Sequence, residues 1–222
     1  MKDILKKFTW FEWLMLFSVI IFTFYFGTTN TINPLFYIVI DGIAAISGIF
    51  CVVLCAKGKK SQYIFGVINV IGYLVIAFLN KYYGEVMLNF IYYLPSQFIG
   101  YYLWGRHHNN VKNKVDGRKL NLRKSVLLLL LCIFGIIGYK LILDMLGGNS
   151  TILDSASTII SVVANTLMLL RYREQWLLWI VIDSITVVMW MIVGDYIMVT
   201  MWIVYLVNAF NGYYNWTKMA KE

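Results

Sequence analysis

Charge is scarce in this sequence. Of its 222 residues only 14% are charged and 60% are hydrophobic, with a mean hydropathy of +0.71. A soluble domain carries roughly a quarter charged residues, so this composition argues against one.

Metal-binding side chains are also few. Cys51, Cys55 and Cys132 lie inside apolar segments with no histidine or carboxylate completing a ligand set, and His107 and His108 lie in a basic loop. We therefore expect neither a metal site nor a cofactor.

Long apolar segments take up most of the chain. A helix needs roughly 20 apolar residues to cross the hydrocarbon core of a bilayer. The sequence has eight such segments: 10–26, 35–56, 62–80, 83–104, 124–143, 151–171, 174–194 and 196–216. They show no strand-like alternation, which argues against a β-barrel. We predict an all-α integral membrane protein of about eight transmembrane helices, with residues 1–222 forming a single transmembrane domain.

The first apolar segment resembles a signal peptide, because it is short and follows Lys6 and Lys7. No A-x-A-like cleavage site follows it, since the next residues are Gly27 to Asn30. We expect a retained helix, and a tilted or interfacial position is the alternative.

The basic residues are distributed unevenly along the chain. If the N-terminus is cytoplasmic and the chain crosses eight times, 17 of the 19 basic residues lie inside, and only Lys81 and Lys140 lie outside. This asymmetry predicts a multi-pass protein with both termini in the cytoplasm. The basic loop 105–124 is then explained by anionic lipid headgroups. Nucleic acid is not needed as a partner to account for the net charge of +8.

The sequence repeats itself. When it is shifted by 112 residues, 91–104 lies over 203–216 with eight of fourteen positions identical, including a shared G-Y-Y-x-W ending. With a shift of 113, Asp41 falls on Asp154 and Gln62 on Gln175. We predict two parallel three-helix repeats, 35–104 and 151–216, with a substrate path between them. An extra N-terminal helix and loop (10–34) precede them, and a basic cytoplasmic loop with a linker helix (105–145) joins them.

One acidic residue lies at membrane depth. A charge there costs roughly 2.5–3.5 kcal/mol, and Asp183 is near the middle of its apolar segment. Trp176, Trp179 and Asp183 are spaced i, i+3, i+7 and share a helix face over about 10 Å. Two indoles leading to a carboxylate suit a flat ligand that is cationic or hydroxylated. An interfacial aromatic belt would explain Trp176 but not Asp183. We expect the deeper ring, Trp179, to be the better shielded from water.

Other polar side chains lie at similar depth and complete a predicted substrate-binding set. They are Gln97, Asn69, Asn208 and Asn211. Hydrogen bonding between helices is an alternative role for each. Tyr101 and Tyr213, at the same position of the two G-Y-Y-x-W copies, are included. Pro95 lacks a backbone N–H and is expected to kink its helix beside Gln97.

Two of these segments resemble a known family. Residues 88–104, LNFIYYLPSQFIGYYLW, resemble the third core helix of the bacterial nicotinamide riboside transporters, the PnuC family. Residues 174–183, EQWLLWIVID, resemble that family's Trp-x-x-Trp-x-x-x-Asn/Asp signature on the sixth core helix. The similarity extends over 35–216.

The resemblance implies a SWEET-like three-plus-one-plus-three fold assembled as a homotrimer in the bacterial inner membrane. It implies uptake of nicotinamide riboside by facilitated diffusion, with trapping by a cytosolic kinase. It also implies ligand contact by Trp176, Trp179, Asp183 and Gln97. Tyr101 and its neighbour stand where a tryptophan-containing pair is expected, so a carrier for thiamine or another vitamin precursor is the alternative.

Two other classes of protein are disfavoured. An intramembrane enzyme needs a nucleophile with a base, or a metal set, at depth. The sequence offers one carboxylate and no buried histidine there, so we predict no enzyme and no catalytic residues. A structural scaffold would have no use for Asp183. A lone carboxylate also disfavours proton coupling, which normally uses a relay of ionisable groups.

Overall fold

The described residues fold almost entirely as helices. The computed structural model describes residues 8–29, 33–80, 86–109, 114–145 and 151–221. Its helices are α1 (Trp10–Thr29), α2 (Leu35–Ala56), α3 (Gln62–Leu79), α4 (Leu94–Arg106), α5 (Leu122–Met145), α6 (Thr151–Leu169), α7 (Gln175–Val193) and α8 (Tyr196–Met219). A π-helical segment, Leu88–Tyr93, leads directly into α4. The prediction of an all-helical protein is confirmed. Lys81 and the side chain of Asp154 lie outside the described residues.

Five of the helices are long and apolar enough to cross a membrane. They are α1, α2, α3, α5 and α7, the last over Gln175–Ile192. Helix α2 packs against α3 and α8, α8 also packs against α7, and α1 lies against α2 and α8. In contrast, α5 contacts α6 and buries only Cys132. The exposed leucines and isoleucines of α5 make it the most peripheral of the described helices.

Helix α1 is fastened to the core by an ion pair. Glu12, 2% exposed, lies 2.7 Å from the Nζ atom of Lys57 just past the end of α2. The Lys57 ammonium also lies 5.2 Å from the centre of the Phe8 ring. Removing one partner of a buried pair typically costs 3–5 kcal/mol. This contact therefore holds α1 as an integral part of the helical assembly.

Helices α2 and α6 end in the same way. Gly58 and Arg171, which are 113 residues apart, have φ angles of +66° and +64°. The amides of Gly58 and Lys59 donate to carbonyl oxygens of the last turn of α2, and those of Arg171 and Tyr172 do the same for α6. Both patterns are the Schellman motif that a residue with positive φ creates.

Two tryptophans make matching contacts between residues 35–104 and 151–216. Trp104 Nε1 donates to the carbonyl oxygen of Met168 at 3.1 Å, and Trp216 Nε1 donates to that of Cys55 at 2.9 Å. Donors and acceptors are 112 and 113 residues apart, and both indoles are fully buried. Each segment thus satisfies a carbonyl group at the helix end of the other.

The described part of the basic loop has regular structure, which its run of charges alone does not predict. Strands β1 (His108–Asn109) and β2 (Lys114–Val115) pair antiparallel. Val115, 1% exposed, donates its amide proton to the carbonyl oxygen of Gly58 at 2.9 Å. Arg118 exchanges backbone hydrogen bonds with Arg171 and Arg173. The loop's backbone groups thus cover the ends of α2 and α6, a role that the predicted contact with lipid headgroups does not include.

Candidate functional site

A cavity of about 630 Å³ lies among α2, α3, the π-helical segment, α4, α6, α7 and α8. This volume is in the range of small-molecule sites. The cavity is closed at one end by buried Cys55, Met168 and Trp176. At the other end its lining includes Val188 and Ile192, which are 56% and 83% exposed.

Asp183 lies on the cavity wall in the middle of α7 and is 3% exposed. The hydroxyl groups nearest to it in sequence donate their hydrogen bonds elsewhere. Ser184 donates to the carbonyl oxygen of Ile180, and Thr186 donates to that of Ile182. Among the described residues, no group donates a hydrogen bond to its carboxylate. A buried carboxylate without partners is costly, so this one is suited to an incoming donor or cation.

The two tryptophans of α7 have different environments. Trp176 is 3% exposed and packs on Gly212, where a Cβ atom would lie 2.5 Å from the indole. Its ring centre is also 6.5 Å from that of Trp216. Trp179 lines the cavity and is only half-buried. The expectation that Trp179 is the better shielded ring is therefore wrong, because Trp176 is wedged into the closed end.

Pro95 reshapes the helix that carries Gln97. Because Pro95 offers no N–H to the turn before it, that turn widens, and the Leu94 amide bonds to the carbonyl oxygen of Asn89. The predicted kink is thus a π-helical turn, a feature often found at functional sites. Asn89 and Gln97, 4% and 6% exposed, both line the cavity. The Gln97 Oε1 atom is buried without a donor among the described residues.

Five of the nine predicted site residues lie together around this cavity. They are Trp176, Trp179, Asp183, Gln97 and Asn69. Asn69 is held firmly, because its Nδ2 atom donates to the carbonyl oxygen of Ala44 at 2.8 Å.

The structure places the other four outside the cavity. Asn208 is fully buried and donates to the Val52 carbonyl oxygen, joining α8 to α2. Asn211 accepts from Asn215 along α8. Tyr101 and Tyr213 lie beneath Lys60 and Arg173, each with a cation 5.5 Å from its ring centre. Asn208 and Asn211 thus lie on faces of α8 that do not line the cavity.

Sequence reasoning missed several polar lining residues. They are Gln62, Tyr73, Asn89, Ser161, Asn165 and Tyr205. The i, i+4 spacing of Ser161 and Asn165 on α6 was one available signal. The repeat was another, because Tyr205 matches Tyr93 in the first copy and both line the cavity.

The charge of the cavity has one sign. Its described lining residues include a single carboxylate, that of Asp183, and no lysine, arginine or histidine. A cavity with this lining favours a cationic or neutral solute with hydroxyl groups over an anion.

A mainly apolar cavity with a few polar side chains and one carboxylate, enclosed by apolar helices, fits a membrane transporter for a small solute. The family model described as nicotinamide mononucleotide transporter matches residues 38–218. A nicotinamide riboside transporter PnuC of Neisseria mucosa is 34% identical over 100% of this chain and 86% of its own. That of Haemophilus influenzae is 41% identical over 81% of this chain and 80% of its own.

A solved structure is also similar. The crystal structure of the vitamin B3 transporter PnuC matches with a TM-score of 0.83 and 34% identity, covering 96% of this chain and 93% of that one. The chain therefore belongs to the nicotinamide mononucleotide transporter family, of which the PnuC proteins are members. The resemblance noted in the sequence is confirmed. The prediction that the protein is not an enzyme is also confirmed, because the family is one of transporters.

Proposed function

We propose that this protein carries nicotinamide riboside across the bacterial inner membrane. The observation that carries the proposal is the cavity's lining of three indoles, those of Trp176, Trp179 and Trp202, and one carboxylate, without a basic residue among those described. Nicotinamide riboside has a flat pyridinium ring, a positive charge and ribose hydroxyls. An indole face attracts such a cation by about 0.5–2 kcal/mol, and the carboxylate of Asp183 accepts hydrogen bonds from hydroxyls.

The same lining disfavours nicotinamide mononucleotide. A phosphate group adds about 1.5 to 2 negative charges at neutral pH. In this cavity it would enter a poorly hydrated space beside Asp183, with no described cation to pair with it. The names of the curated relatives, which specify the riboside, agree with this selection.

We propose facilitated diffusion with metabolic trapping on the basis of the charge of the cavity lining. Proton coupling normally uses a relay of ionisable groups, and Asp183 is the one carboxylate among the described lining residues. Phosphorylation of the nucleoside by a cytosolic kinase would create a product that the cavity rejects. Net uptake then needs no ion gradient in the transporter itself.

We infer a plan of two parallel three-helix repeats, joined by α5 and preceded by α1, with all eight helices crossing the membrane. Two pairs of matching local features support this plan. Gly58 and Arg171 end α2 and α6 alike, and Trp104 and Trp216 make exchanged contacts at those same ends. The charge asymmetry of 17 basic residues on one side supports a cytoplasmic position for these ends and for both termini. Assembly as a homotrimer belongs to the same proposal.

Binding by the purified protein tests the function. Titration calorimetry should show saturable binding of nicotinamide riboside and none of nicotinamide mononucleotide at the same concentration. Preferential binding of thiamine would favour the alternative carrier function, because thiamine is also flat, cationic and hydroxyl-bearing. Binding of the mononucleotide at least as tight as that of the riboside would overturn the argument from the cavity's charge.

A further inference from the structure

A tyrosine on α8 occupies a pocket prepared for its hydroxyl group. Tyr205 is 8% exposed and lines the cavity. A Cβ atom at Gly48 of α2 would overlap the Tyr205 Oη atom, so only glycine leaves room for the phenol here. The ring also packs edge-on against Trp202, with centroids 5.2 Å apart. The position of this hydroxyl is therefore set by its surroundings.

The hydrogen bond that the Tyr205 hydroxyl accepts leaves the hydroxyl's own proton unused. The Nδ2 atom of Asn69 donates to the carbonyl oxygen of Ala44 at 2.8 Å and to Tyr205 Oη at 3.5 Å. Because an amide NH₂ group is a donor only, Tyr205 is the acceptor in the second contact. Its phenolic proton remains available to a group in the cavity.

The carboxylate of Asp183 lines the same cavity as Tyr205. The pair thus presents one donor and one acceptor to the same cavity. A hydroxyl group matches such a pair, since it accepts one hydrogen bond while donating another. A carbonyl oxygen alone would use only one of the two.

We propose that Tyr205 is a specificity-determining residue whose phenol donates to a ribose hydroxyl of the substrate while that same hydroxyl donates to Asp183. Asn69 and Gly48 are positioning residues that hold the phenol in place. The inference rests on the proposed function, because it names the part of the nucleoside that this end of the cavity recognises.

The corresponding tyrosine of the first repeat is placed differently. Tyr93 also lines the cavity, but Ser161 stands at the position that matches Gly48, and Ile182 at the one that matches Asn69. An isoleucine cannot donate to a phenol. A glycine and an asparagine of one repeat thus surround the tyrosine of the other only at Tyr205, which makes recognition by the cavity one-sided.

The test compares binding of nicotinamide riboside with that of its 2′-deoxy and 3′-deoxy analogues by titration calorimetry. Wild-type protein should bind one of the analogues about tenfold more weakly than the riboside, as expected for the loss of a hydrogen bond to a charged group. In Tyr205→Phe the affinity for the riboside should fall towards that for the analogue, whose own affinity stays nearly constant. Because the hydroxyl keeps its hydrogen bond to Asp183 in this variant, the ratio of the two affinities should shrink but stay above one.

Tyr214→Phe is the matched control, because Tyr214 is on the same helix but is 59% exposed and lies over Lys218. Its ratio should equal that of wild type. An unchanged ratio in Tyr205→Phe, or a ratio lost in Tyr93→Phe alone, would overturn the assignment. If Tyr205→Phe does not fold, Asn69→Leu decides, and an unaltered ratio there counts against the proposal. Failure of wild-type protein to bind any of the three nucleosides would instead refute the proposed function.

Discussion

Replacing Trp176 and Trp179 by alanine should have different consequences, although the two rings share a helix face. Trp179 is half-buried on the cavity wall and Trp176 is 3% exposed in the closed end. Trp179→Ala removes a ring face that the bound ligand would shield from water, and such a face is worth about 2 kcal/mol to a cation. The dissociation constant for nicotinamide riboside should therefore rise about 30-fold, while the melting temperature changes little.

Trp176→Ala should act mainly on stability. Its indole fills the space above Gly212 and contacts the ring of Trp216. Removing a fully packed tryptophan costs about 3–5 kcal/mol in unfolding free energy, because a cavity remains. The melting temperature of the purified protein should fall by many degrees.

Calorimetry and thermal melting on both variants separate these effects, with Trp179→Phe as a control that keeps an aromatic face. Trp179→Phe should retain most of the affinity that Trp179→Ala loses. The reasoning is refuted if Trp179→Ala binds as tightly as wild type while folded, or if Trp176→Ala loses binding without losing stability.

Four further predictions address the site and the topology. Asp183→Asn keeps an acceptor and should bind more tightly than Asp183→Leu, which should lose about 1.5–3 kcal/mol; equal losses in calorimetry would contradict this. Trp104→Phe and Trp216→Phe each remove one indole hydrogen bond, so both should lower the melting temperature by similar amounts. Ligand should slow alkylation of Cys51, which lines the cavity; no protection would place the ligand elsewhere. A reporter active only in the periplasm should be silent at the C-terminus, and a strong signal would reverse the topology.

The sequence allowed one wall of the site to be predicted in detail. Spacing along a single helix placed Trp176, Trp179 and Asp183 on one face, and they do line one cavity. This works because helical periodicity is a local property of the chain. An acidic residue in an apolar segment is also a strong signal, since burying it without a purpose is costly.

The opposite walls could not be predicted in the same way. Which face of α8 meets the cavity depends on how α8 packs against α2 and α3, and its own asparagines gave no guide to that. Asn208 is used to bond Val52, whereas Tyr205, one turn earlier, lines the cavity. The repeat held some of this information, because identical residues at matching positions, such as Tyr93 and Tyr205, recur on the cavity wall.

Two local features needed the structure. Pro95 predicts a disturbed helix. The sequence around it does not distinguish a kink from the π-helical turn that brings Asn89 to the cavity. The charges of the basic loop predict contact with anionic lipid headgroups. Its backbone nevertheless bonds to Gly58 and Arg171, which is a consequence of tertiary packing that composition cannot reveal.

Counterflow in liposomes tests the central claim most directly. Purified protein is reconstituted with unlabelled nicotinamide riboside inside, and labelled nicotinamide riboside is added outside with no ion gradient. The account predicts transient accumulation of label, abolished or strongly reduced in Trp179→Ala, and no accumulation of labelled nicotinamide mononucleotide in liposomes preloaded with it. Accumulation no greater than in protein-free liposomes, or equal counterflow of the mononucleotide, would contradict it.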